Sequence, residues 1–482
     1  MTKRNIISIV FLITLIIAIS SGCRKDSIIT DDPSVKLSFS NDTIIFDTVF
    51  TTIGSTTQWL RVYNKENRKV NISSIRLAGG TNSNFRINID GVSGVSASNV
   101  EIAPNDSMFI FVEVTVDPTN SNNPLIIQDS IVFTTNGNIQ DVDLVAWGQD
   151  AHFIVADKYV QGLPPYKIVA KEGENITWQN DKPYVIYGYA VVDSTGQLNI
   201  WEGCRIHFHN NSGLWIYKGG SLKVSGTLND PVTFQGDRLE SYYEDVAGQW
   251  DRIWIMDGSV DNEINYAIIK NAFIGIQTET FGDSKMGNKL KLDNTQIYNM
   301  SGVGIFSRDY KIVSTNTIIA NCAQYGVVLS SGGDYDFQHC TFANYWSQSV
   351  RQTPNLILNN YYENQDEQIV VADHLNAYFG NCIIYGSNDE EVELDQYAGS
   401  TQFNYTFDYC LLKTQLSTSD VSKFINIIKN SDPLFEDYQE NDYHIKLGSP
   451  AINVGSTSIN IPIDIAGENR DAQPDLGAYE YK

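Results

Sequence analysis

The chain has 482 residues, a formal net charge of −24, 35 glycines and 26 tyrosines, and only 19% of its residues are charged. This length accommodates two or three domains with sizeable cores, and the glycine and tyrosine content suits an all-β protein with many turns. The negative balance disfavours nucleic-acid binding, which needs basic patches. It also disfavours direct capture of polyanionic glycans unless a cation bridges them.

The N-terminus has the pattern of a secretion signal. Lys3 and Arg4 precede an apolar run from Ile6 to Ile19, which is short for a membrane span and suitable for a signal peptide. The following Ile-Ser-Ser-Gly-Cys resembles a bacterial lipobox, although Ser20 stands where that motif usually has Leu. The resemblance implies that residues 1–22 are removed and that Cys23 carries the lipid. The alternative is an ordinary secretory signal with a nearby cysteine.

A lipid on Cys23 predicts a protein of the cell envelope, anchored to the outer membrane. The sequence does not distinguish its periplasmic side from its outer side. Residues 23–34 are polar and are predicted to be a tether that lets the folded part stand off the membrane.

Residues 35–149 read as short strands separated by turn signals, which predicts a β-sandwich. The segments LRVYN, VNISSIRL, EIAPNDS, FVEVTVDP and VDLVAWG resemble immunoglobulin-like (Ig-like) domains of the ASPM–SPD-2–Hydin type. The resemblance implies a spacer or interaction module. Residues 150–197, with Pro164 and Pro165, are predicted to be a connector and an N-terminal cap.

From residue 198 the strands become shorter and alternate with Gly and Asn turns. His207 and His209 share one face of a strand, which favours a solvated or hydrogen-bonded face over a metal pair. Residues 237–263 combine acids with Tyr242, Tyr243 and Trp250. Aromatic rings beside carboxylates suit sugar recognition, because the rings stack on pyranoses and the acids accept hydroxyl hydrogen bonds. The alternative is that the tryptophans only pack beneath the loop.

An imperfect repeat organises residues 264–414. Its six copies are YAIIKN at 266, NTQIYN at 294, NTIIAN at 316, HCTFAN at 339, NCIIYG at 381 and YCLLKT at 409. The second position is small and the fourth is large and apolar, which predicts that these two positions point inward from a strand. A period of 22 to 42 residues suits one supersecondary unit stacked on its copies.

The sixth position is asparagine in four copies, at Asn271, Asn299, Asn321 and Asn344. We predict that these side chains stack as a ladder of amides, each bonding the next. The repeat resembles pectate-lyase-like proteins, and the resemblance implies a right-handed parallel β-helix over residues 198–431. The alternative is a β-sandwich with chance similarity. The predicted fold is therefore all-β, with an N-terminal Ig-like sandwich followed by a right-handed parallel β-helix.

An excursion at residues 345–378 interrupts the repeat, and long loops on a solenoid usually carry the binding surface. It supplies the following candidate ligand-binding residues: Tyr345, Trp346, Arg351, Tyr361, Tyr362 and Glu363. The acidic run at 388–396 suits calcium by composition but lacks the spaced ligands of a calcium loop, so a solvated loop is favoured. No metal site and no cofactor are predicted.

The C-terminal residues 432–482 contain DPLF, GSPAINVGS and DLGAYEY. They resemble the GAYEY-type tail of secreted β-helix proteins, notably from Bacteroidetes. The resemblance implies that Asp464, Asp475, Gly477 and Glu480 are turn and cap residues that finish the last coils.

Three functions remain open. The favoured one is a non-catalytic envelope protein that binds a polysaccharide or a protein partner through the β-helix. The second is a polysaccharide lyase or glycoside hydrolase, for which Arg252, Arg308 and Arg351 are candidate bases, but the signature motifs of pectin hydrolases and pectate lyases are absent. The third is a structural or adhesive rod. The catalytic residues and the oligomeric state are not indicated.

Overall fold

The computed structural model describes residues 28–51, 54–116, 125–280, 289–364, 366–372 and 374–482. The predicted signal peptide and the predicted lipidation site, Cys23, lie outside the described residues. The described part of the chain is all-β, apart from two single 3₁₀ turns at Gly80–Asn82 and Ser241–Tyr243. It contains no helix that is long and apolar enough to cross a membrane. Its residues divide into two compact units, 28–149 and 150–482.

The first unit consists of two sheets. The six-stranded sheet contains Ile29–Thr30, Thr43–Phe50, Lys69–Leu77, Ser96–Ile102, Leu125–Thr135 and Asn138–Gln149. The five-stranded sheet contains Ser38–Phe39, Gln58–Asn64, Phe85–Ile89, Val92–Gly94 and Asp106–Val114. Alternate residues of both sheets enter one hydrophobic core, which includes Leu60 and Ile110 from one sheet and Ile72 and Phe133 from the other. Burial of one face of each sheet explains the alternating sequence pattern.

The second unit is built from three long parallel sheets, here named sheets A, B and C. Sheet A contains His152–Val155, Tyr184–Tyr187, Arg205–Phe208, Val232–Gly236, Ala267–Lys270, Gln296–Met300, Ile318–Cys322, Thr341–Asn344, Ile383–Gly386, Leu411–Leu412 and Ile428–Lys429. Sheet B contains Tyr166–Ala170, Tyr189–Val192, Gly213–Ile216, Ile253–Ile255, Ile274–Glu279, Val303–Arg308, Val327–Ser330, Leu356–Asn359 and Val392–Asp395. Sheet C contains Asn175–Trp178, Gln197–Trp201, Ser221–Ser225, Asn262–Asn265, Leu290–Asp293, Lys311–Thr315, Gly333–Gln338, Leu375–Gly380, Asn404–Asp408 and Phe424–Ile425.

Successive strands of the chain enter sheets A, B and C in rotation, so that each strand pairs with the equivalent strand of the next turn of the chain. Two antiparallel hairpins lie outside this arrangement, at Tyr361–Glu363 with Ile369–Val371 and at Phe435–Asp437 with Asp442–Ile445. The three sheets share a single core that draws residues from all of them. The parallel arrangement explains why the central strands read as short apolar runs.

The inward columns predicted from the repeat are confirmed. The second position is buried in every copy, from Ala267 to Cys410. The fourth-position residues, from Ile269 to Leu412, lie in register on neighbouring strands of sheet A and are fully buried. All five cysteines of the described residues are free and buried, in agreement with their place in this core.

The predicted amide ladder is wrong in its position. The hydrogen bonds of Asn271, Asn299, Asn321 and Asn344 within the described residues run to other partners, such as the Glu244 carbonyl for Asn271 and the Cys322 carbonyl for Asn344. The partners of Asn271, Asn299 and Asn321 belong to loops outside the repeat, whereas Asn344 bonds the strand end of the preceding coil.

A short amide column forms instead at the beginning of the repeat. Its first position has a left-handed backbone in all six copies, with φ between 47° and 53°. Asparagine tolerates this conformation better than most residues. The Asn294 side-chain amide donates to Asn265 Oδ1 at 3.0 Å, and that of Asn316 donates to Asn294 Oδ1 at 3.1 Å. The column therefore marks the sharp turn from sheet C to sheet A.

The C-terminal segment lies against the outward side of sheet A. Tyr443, Ile465 and Leu476 join a separate apolar cluster with Ile318 and Ile383 of that sheet. The Ala478 amide donates to Thr341 Oγ1 at 2.9 Å, which fixes the segment across the strands. The expectation that this segment finishes the last coils is therefore wrong for residues 443–479, which cover earlier coils instead.

The turn roles expected for the acidic residues of this segment are confirmed. Asp464 accepts the Glu468 and Glu480 amides, Asp475 accepts the Asn453 and Tyr481 amides, and Glu480 accepts the Asp471 and Asp475 amides. Each carboxylate thus satisfies backbone donors within the segment.

Candidate functional site

A pocket of about 430 Å³ lies where the sheet A strands end and three loops meet. We call it the amide pocket. Its lining residues come from the loop after Val232–Gly236, from the ends of two repeat copies, from the start of the excursion and from the C-terminal hairpin. They are Asp245, Asn299, Asn321, Tyr345, Trp346, Ser347, Gln348, Tyr438, Gln439 and Asn441.

Two stacked tyrosines form the aromatic wall of the amide pocket. The rings of Tyr345 and Tyr438 are 4.0 Å apart and inclined by 16°. The Tyr345 ring also meets Phe435 edge to face at 6.3 Å, which ties the wall to the hairpin. Burial raises the pKa of the Tyr345 phenol, so it stays neutral. Tyr438 is 40% exposed and leaves ring surface available for stacking.

Side-chain amides connect the loops around the pocket. Asn321 Oδ1 accepts the Tyr345 backbone N–H at 3.2 Å, and Asn321 Nδ2 donates to Asn441 Oδ1 at 2.7 Å. Asn299 Nδ2 donates to Asp245 Oδ1 at 3.1 Å. The sixth-position asparagines of two repeat copies therefore hold the excursion, the hairpin and the Asp245 loop together.

Two further contacts fix the rim of the pocket. Gln348 Nε2 donates to the Asp245 carbonyl at 3.0 Å, which links the excursion to the earlier loop. The Trp346 indole N–H donates to Ser349 Oγ at 2.8 Å, so its ring is held by its own loop. The Trp346 side chain is half-buried. Because these side chains are already held in place, less conformational entropy is lost when a ligand binds.

The charge of the amide pocket is distinctive. Of its ten described lining residues, Asp245 is the only one with a charged side chain, and none is lysine or arginine. Amides, hydroxyls and one carboxylate accept and donate hydrogen bonds without attracting an anion. The arrangement is suited to an uncharged polyhydroxyl ligand and unsuited to a uronate.

The structure places Trp250 in the core instead of at a binding surface. Its side chain is 1% exposed and stacks on Phe208, with ring centroids 4.2 Å apart. The indole N–H donates to the Lys270 carbonyl at 2.8 Å. The packing alternative is correct for this residue, because both ring faces and the indole donor are used inside the protein.

Arg351 is also withdrawn from ligand binding. Its two terminal nitrogens donate to the two Glu391 carboxylate oxygens at 2.8 and 2.5 Å, and both side chains are almost fully enclosed. The same two guanidinium nitrogens also donate to the carbonyls of Thr353 and Asn344. The prediction that Arg351 binds ligand is wrong, since the guanidinium holds the excursion onto the repeat.

The remaining candidates lie outside the lining of the amide pocket. Tyr361 belongs to the excursion hairpin and donates to Asp395 Oδ2 at 2.8 Å. The adjacent Tyr362 ring faces the Arg308 guanidinium at 5.5 Å, and Glu363 is exposed on the same strand. Tyr361 and Tyr362 therefore contact residues of two sheet B strands, while Glu363 is exposed beside them.

Tyr242 and Tyr243 lie in the 3₁₀ turn that precedes Asp245. The Arg238 guanidinium is 3.9 Å from the Tyr243 ring centre, so one face of that ring is covered. Tyr242 is 80% exposed and meets Tyr243 edge to face at 5.2 Å. Tyr242 is thus available at the surface, although it does not line the pocket.

Acidic and histidine side chains of the described residues form no group of three or more that is placed to hold a metal ion. In the acidic run, Glu391 pairs with Arg351, and Glu390 accepts the backbone N–H groups of Val392 and Gln415. Of the two histidines that share a strand face in the sequence, His207 is buried and donates through Nδ1 to the Gly236 carbonyl at 3.0 Å, whereas His209 pairs with Asp237.

Sequence reasoning found Tyr345 and Trp346 as candidates and assigned Asn299 and Asn321 a different role. It missed Tyr438, Gln439 and Asn441, because these residues reach the pocket only through the return of the C-terminal segment. The sequence did contain a signal that another segment covers sheet A. At the third repeat position, which points outward from this sheet, Ile318, Ile383 and Leu411 are apolar. Apolar residues on both faces of a sheet indicate that another segment covers it.

No family model and no curated protein sequence matches the chain. Among solved structures, it resembles the ASH/PapD-like domain 7 of human CEP192 with 12% identity and a TM-score of 0.18, over 27% of this chain and 95% of that domain. The catalytic unit of a GH87 α-1,3-glucanase from Streptomyces thermodiastaticus has 9% identity and a TM-score of 0.25, over 73% and 79%. A family 123 glycoside hydrolase from Clostridium perfringens has 10% identity and a TM-score of 0.18, over 25% and 30%. The neighbours thus include an Ig-like domain and β-rich glycoside hydrolases, at similarities that carry no functional argument.

Proposed function

We propose that the protein is a lipid-anchored protein of the bacterial cell envelope that binds an uncharged polysaccharide in the amide pocket without cleaving it. In this proposal the second unit is a right-handed parallel β-helix and the first is an Ig-like spacer. Cys23 carries the lipid at the outer membrane. The rotation of strands through sheets A, B and C supports the β-helix, and the two sheets around one core support the sandwich.

The observation that carries the binding proposal is the composition of the amide pocket. Stacked Tyr345 and Tyr438 offer aromatic surface, while Asn299, Asn321 and Gln439 offer hydrogen-bonding groups around it. Saccharide sites combine these two features, because a pyranose has an apolar face and a rim of hydroxyls. A volume of about 430 Å³ suits a short stretch of a sugar chain rather than a large ligand.

The same composition favours binding over cleavage. A glycosidase of the usual kind needs two carboxyl groups across the scissile bond, and the lining has one, Asp245. A lyase needs a base and a cation to neutralise the uronate, and the lining residues include no lysine or arginine.

The test measures binding of neutral oligosaccharides by calorimetry and, in parallel, the release of reducing ends and of unsaturated uronates. We expect binding with no product. Tyr438→Ala should weaken binding at least tenfold by removing the exposed stacking face. Tyr397→Ala is the matched control, because Tyr397 is equally exposed, at 39%, and lies outside the pocket.

Each contrary result has a distinct meaning. Product formation that depends on Asp245 would overturn the non-catalytic proposal. Saccharide binding that survives Tyr438→Ala would remove the amide pocket as its site. Absence of binding across a broad panel of glycans would leave the structural rod as the better account.

A further inference from the structure

The five-stranded sheet of the first unit carries an unusual outward surface. Trp59, Phe109 and Phe111 are 53%, 43% and 45% exposed and lie on the neighbouring strands Gln58–Asn64 and Asp106–Val114. The outward side of an antiparallel sheet is normally polar, and clustered exposed aromatics mark interaction sites. We call these three residues, with Arg61 and Glu113, the aromatic face.

The rings of the aromatic face are packed on one another. Trp59 is paired with Phe111 and Arg61 with Phe109 across the two strands. Trp59 meets Phe109 edge to face, with centroids 5.6 Å apart and an inclination of 71°, and Phe109 is nearly parallel to Phe111 at 6.3 Å. Rings that meet at such different angles do not offer a sugar chain one flat platform, so this surface favours a protein partner.

A cation lies at one end of the aromatic face. The Arg61 guanidinium is 5.2 Å from the Phe109 ring centre and 5.3 Å from that of Tyr63, and its Nε donates to Ser107 Oγ at 2.8 Å. Its two terminal nitrogens have no hydrogen-bond partner among the described residues. Arginine held in this way is typical of the central residues of protein interfaces.

A carboxylate lies at the other end. Glu113 follows Phe109 and Phe111 at alternate positions of the same strand, so all three side chains point outward. Its Oε1 accepts the Thr57 hydroxyl at 2.8 Å. Arg86 stands opposite Glu113 in the register, but its Nη1 donates to the Ser83 and Phe85 carbonyls. Within the described part of the chain, Glu113 therefore has no ion-pair partner.

These positions make the aromatic face complementary to itself. Along the strand direction, Arg61 lies about 7 Å from the Trp59–Phe111 pair on one side. Glu113 lies about 7 Å from the same pair on the opposite side. A two-fold axis through the Trp59–Phe111 row exchanges the two ends. It places Arg61 of one copy against Glu113 of the other and buries the rings between them. Closed two-fold contacts require a surface of this kind.

We propose that the aromatic face is a dimerisation site that binds the same face of a second copy of this chain. The face of a five-stranded sheet of this strand length covers on the order of 500 Å² per copy, less than the roughly 800 Å² of a standard interface. The dimer is therefore reversible, with a dissociation constant on the order of micromolar.

The test is sedimentation equilibrium of the full chain in detergent, from about 1 to 100 μM, a range set to span micromolar dissociation. We expect the protein mass to rise with concentration from one chain to two. Trp59→Ala and Arg61→Glu should each weaken association at least tenfold, and so should Glu113→Arg. The double variant R61E/E113R should recover it, because the charges are exchanged. Ile139→Ser is the control, because Ile139 is 75% exposed on the other sheet.

Three results would overturn the proposal. The first is a single-chain mass at every concentration. The second is association that R61E and E113R weaken but the double variant does not restore, since loss of folding would then suffice to explain it. The third is a monomer whose binding to a glycan array is abolished by Trp59→Ala, which would assign the aromatic face to a saccharide.

Discussion

Arg351 and Glu391 form a bidentate ion pair in which the two side chains are only 1% and 0% exposed. The pair joins the excursion to the acidic run, in which Glu391 directly precedes the strand Val392–Asp395. Removing one partner leaves the other charge buried, which costs far more than the intact pair contributes.

The first prediction concerns this pair. Arg351→Ala should lower the free energy of unfolding of the second unit by about 3–5 kcal/mol, because Glu391 is left without its partner. Urea titration followed by tryptophan fluorescence measures the change. Lys171→Ala is the control, since its pair with Glu174 is largely exposed and its loss should be small. Equal effects of the two changes would contradict the structural role of Arg351.

The second prediction concerns pH. Burial lowers the pKa of His207 from 6.5 to about 4, so the unfolded chain binds this proton more tightly than the folded one does. The contribution of neutral His207 to the free energy of unfolding is complete above about pH 6.5, and it is lost as the pH falls toward 4. Between pH 7.5 and 5.5 the loss should be about 1 kcal/mol.

His207→Asn tests this pH dependence, because an amide retains a hydrogen-bond donor but does not titrate. Unfolding measured at pH 7.5 and 5.5 should show a smaller decrease for the variant than for the native protein. Effects from carboxylates are common to both proteins and cancel in the comparison. Identical decreases would show that His207 does not remain neutral in the folded protein.

The third prediction concerns Asp245. Replacement by Asn keeps an acceptor for the Asn299 amide but removes the charge that strengthens hydrogen bonds to sugar hydroxyls. Saccharide affinity should fall by about fivefold, which corresponds to about 1 kcal/mol. Calorimetry with the same oligosaccharide measures it. Unchanged affinity would indicate that the carboxylate faces away from the ligand.

The fourth prediction concerns the turn at Asn316, where φ is +49°. Its amide donates to Asn294 and to the Ile463 carbonyl, and its Oδ1 accepts from Arg470. Asn316→Ala should destabilise the second unit by about 2–4 kcal/mol through backbone strain and lost hydrogen bonds. Asn316→Gly should cost about 1–2 kcal/mol less, since glycine tolerates the turn. Equal costs would show that strain contributes little.

The fifth prediction concerns the proposed lipid on Cys23. Cys23→Ser should abolish incorporation of labelled fatty acid and move the protein from the membrane fraction to the soluble fraction. Labelling that persists in this variant would contradict attachment at Cys23.

The inward columns were predictable because burial imposes a period of two on every strand, as Ile297 and Ile319 illustrate. The amide column was not, since Asn294 and Asn299 both adopt the left-handed conformation, and only the packing around them decides which side chain bonds an amide of a neighbouring coil. Only part of the lining of the amide pocket could be predicted from the sequence. Tyr345 and Trp346 stand out as aromatics in a long loop, whereas the approach of Tyr438 depends on packing between residues far apart in the chain.

The return of the C-terminal segment has a consequence for the order in which the molecule is completed. Tyr438, Gln439 and Asn441 are synthesised after all of sheets A, B and C, yet they close a pocket whose other side chains are made earlier. During synthesis from the N-terminus the strands of the three sheets are therefore available before the lining of the amide pocket is complete. A product that ended before residue 438 would lack this part of the lining, so the proposed ligand binding would be confined to molecules that contain the C-terminal segment.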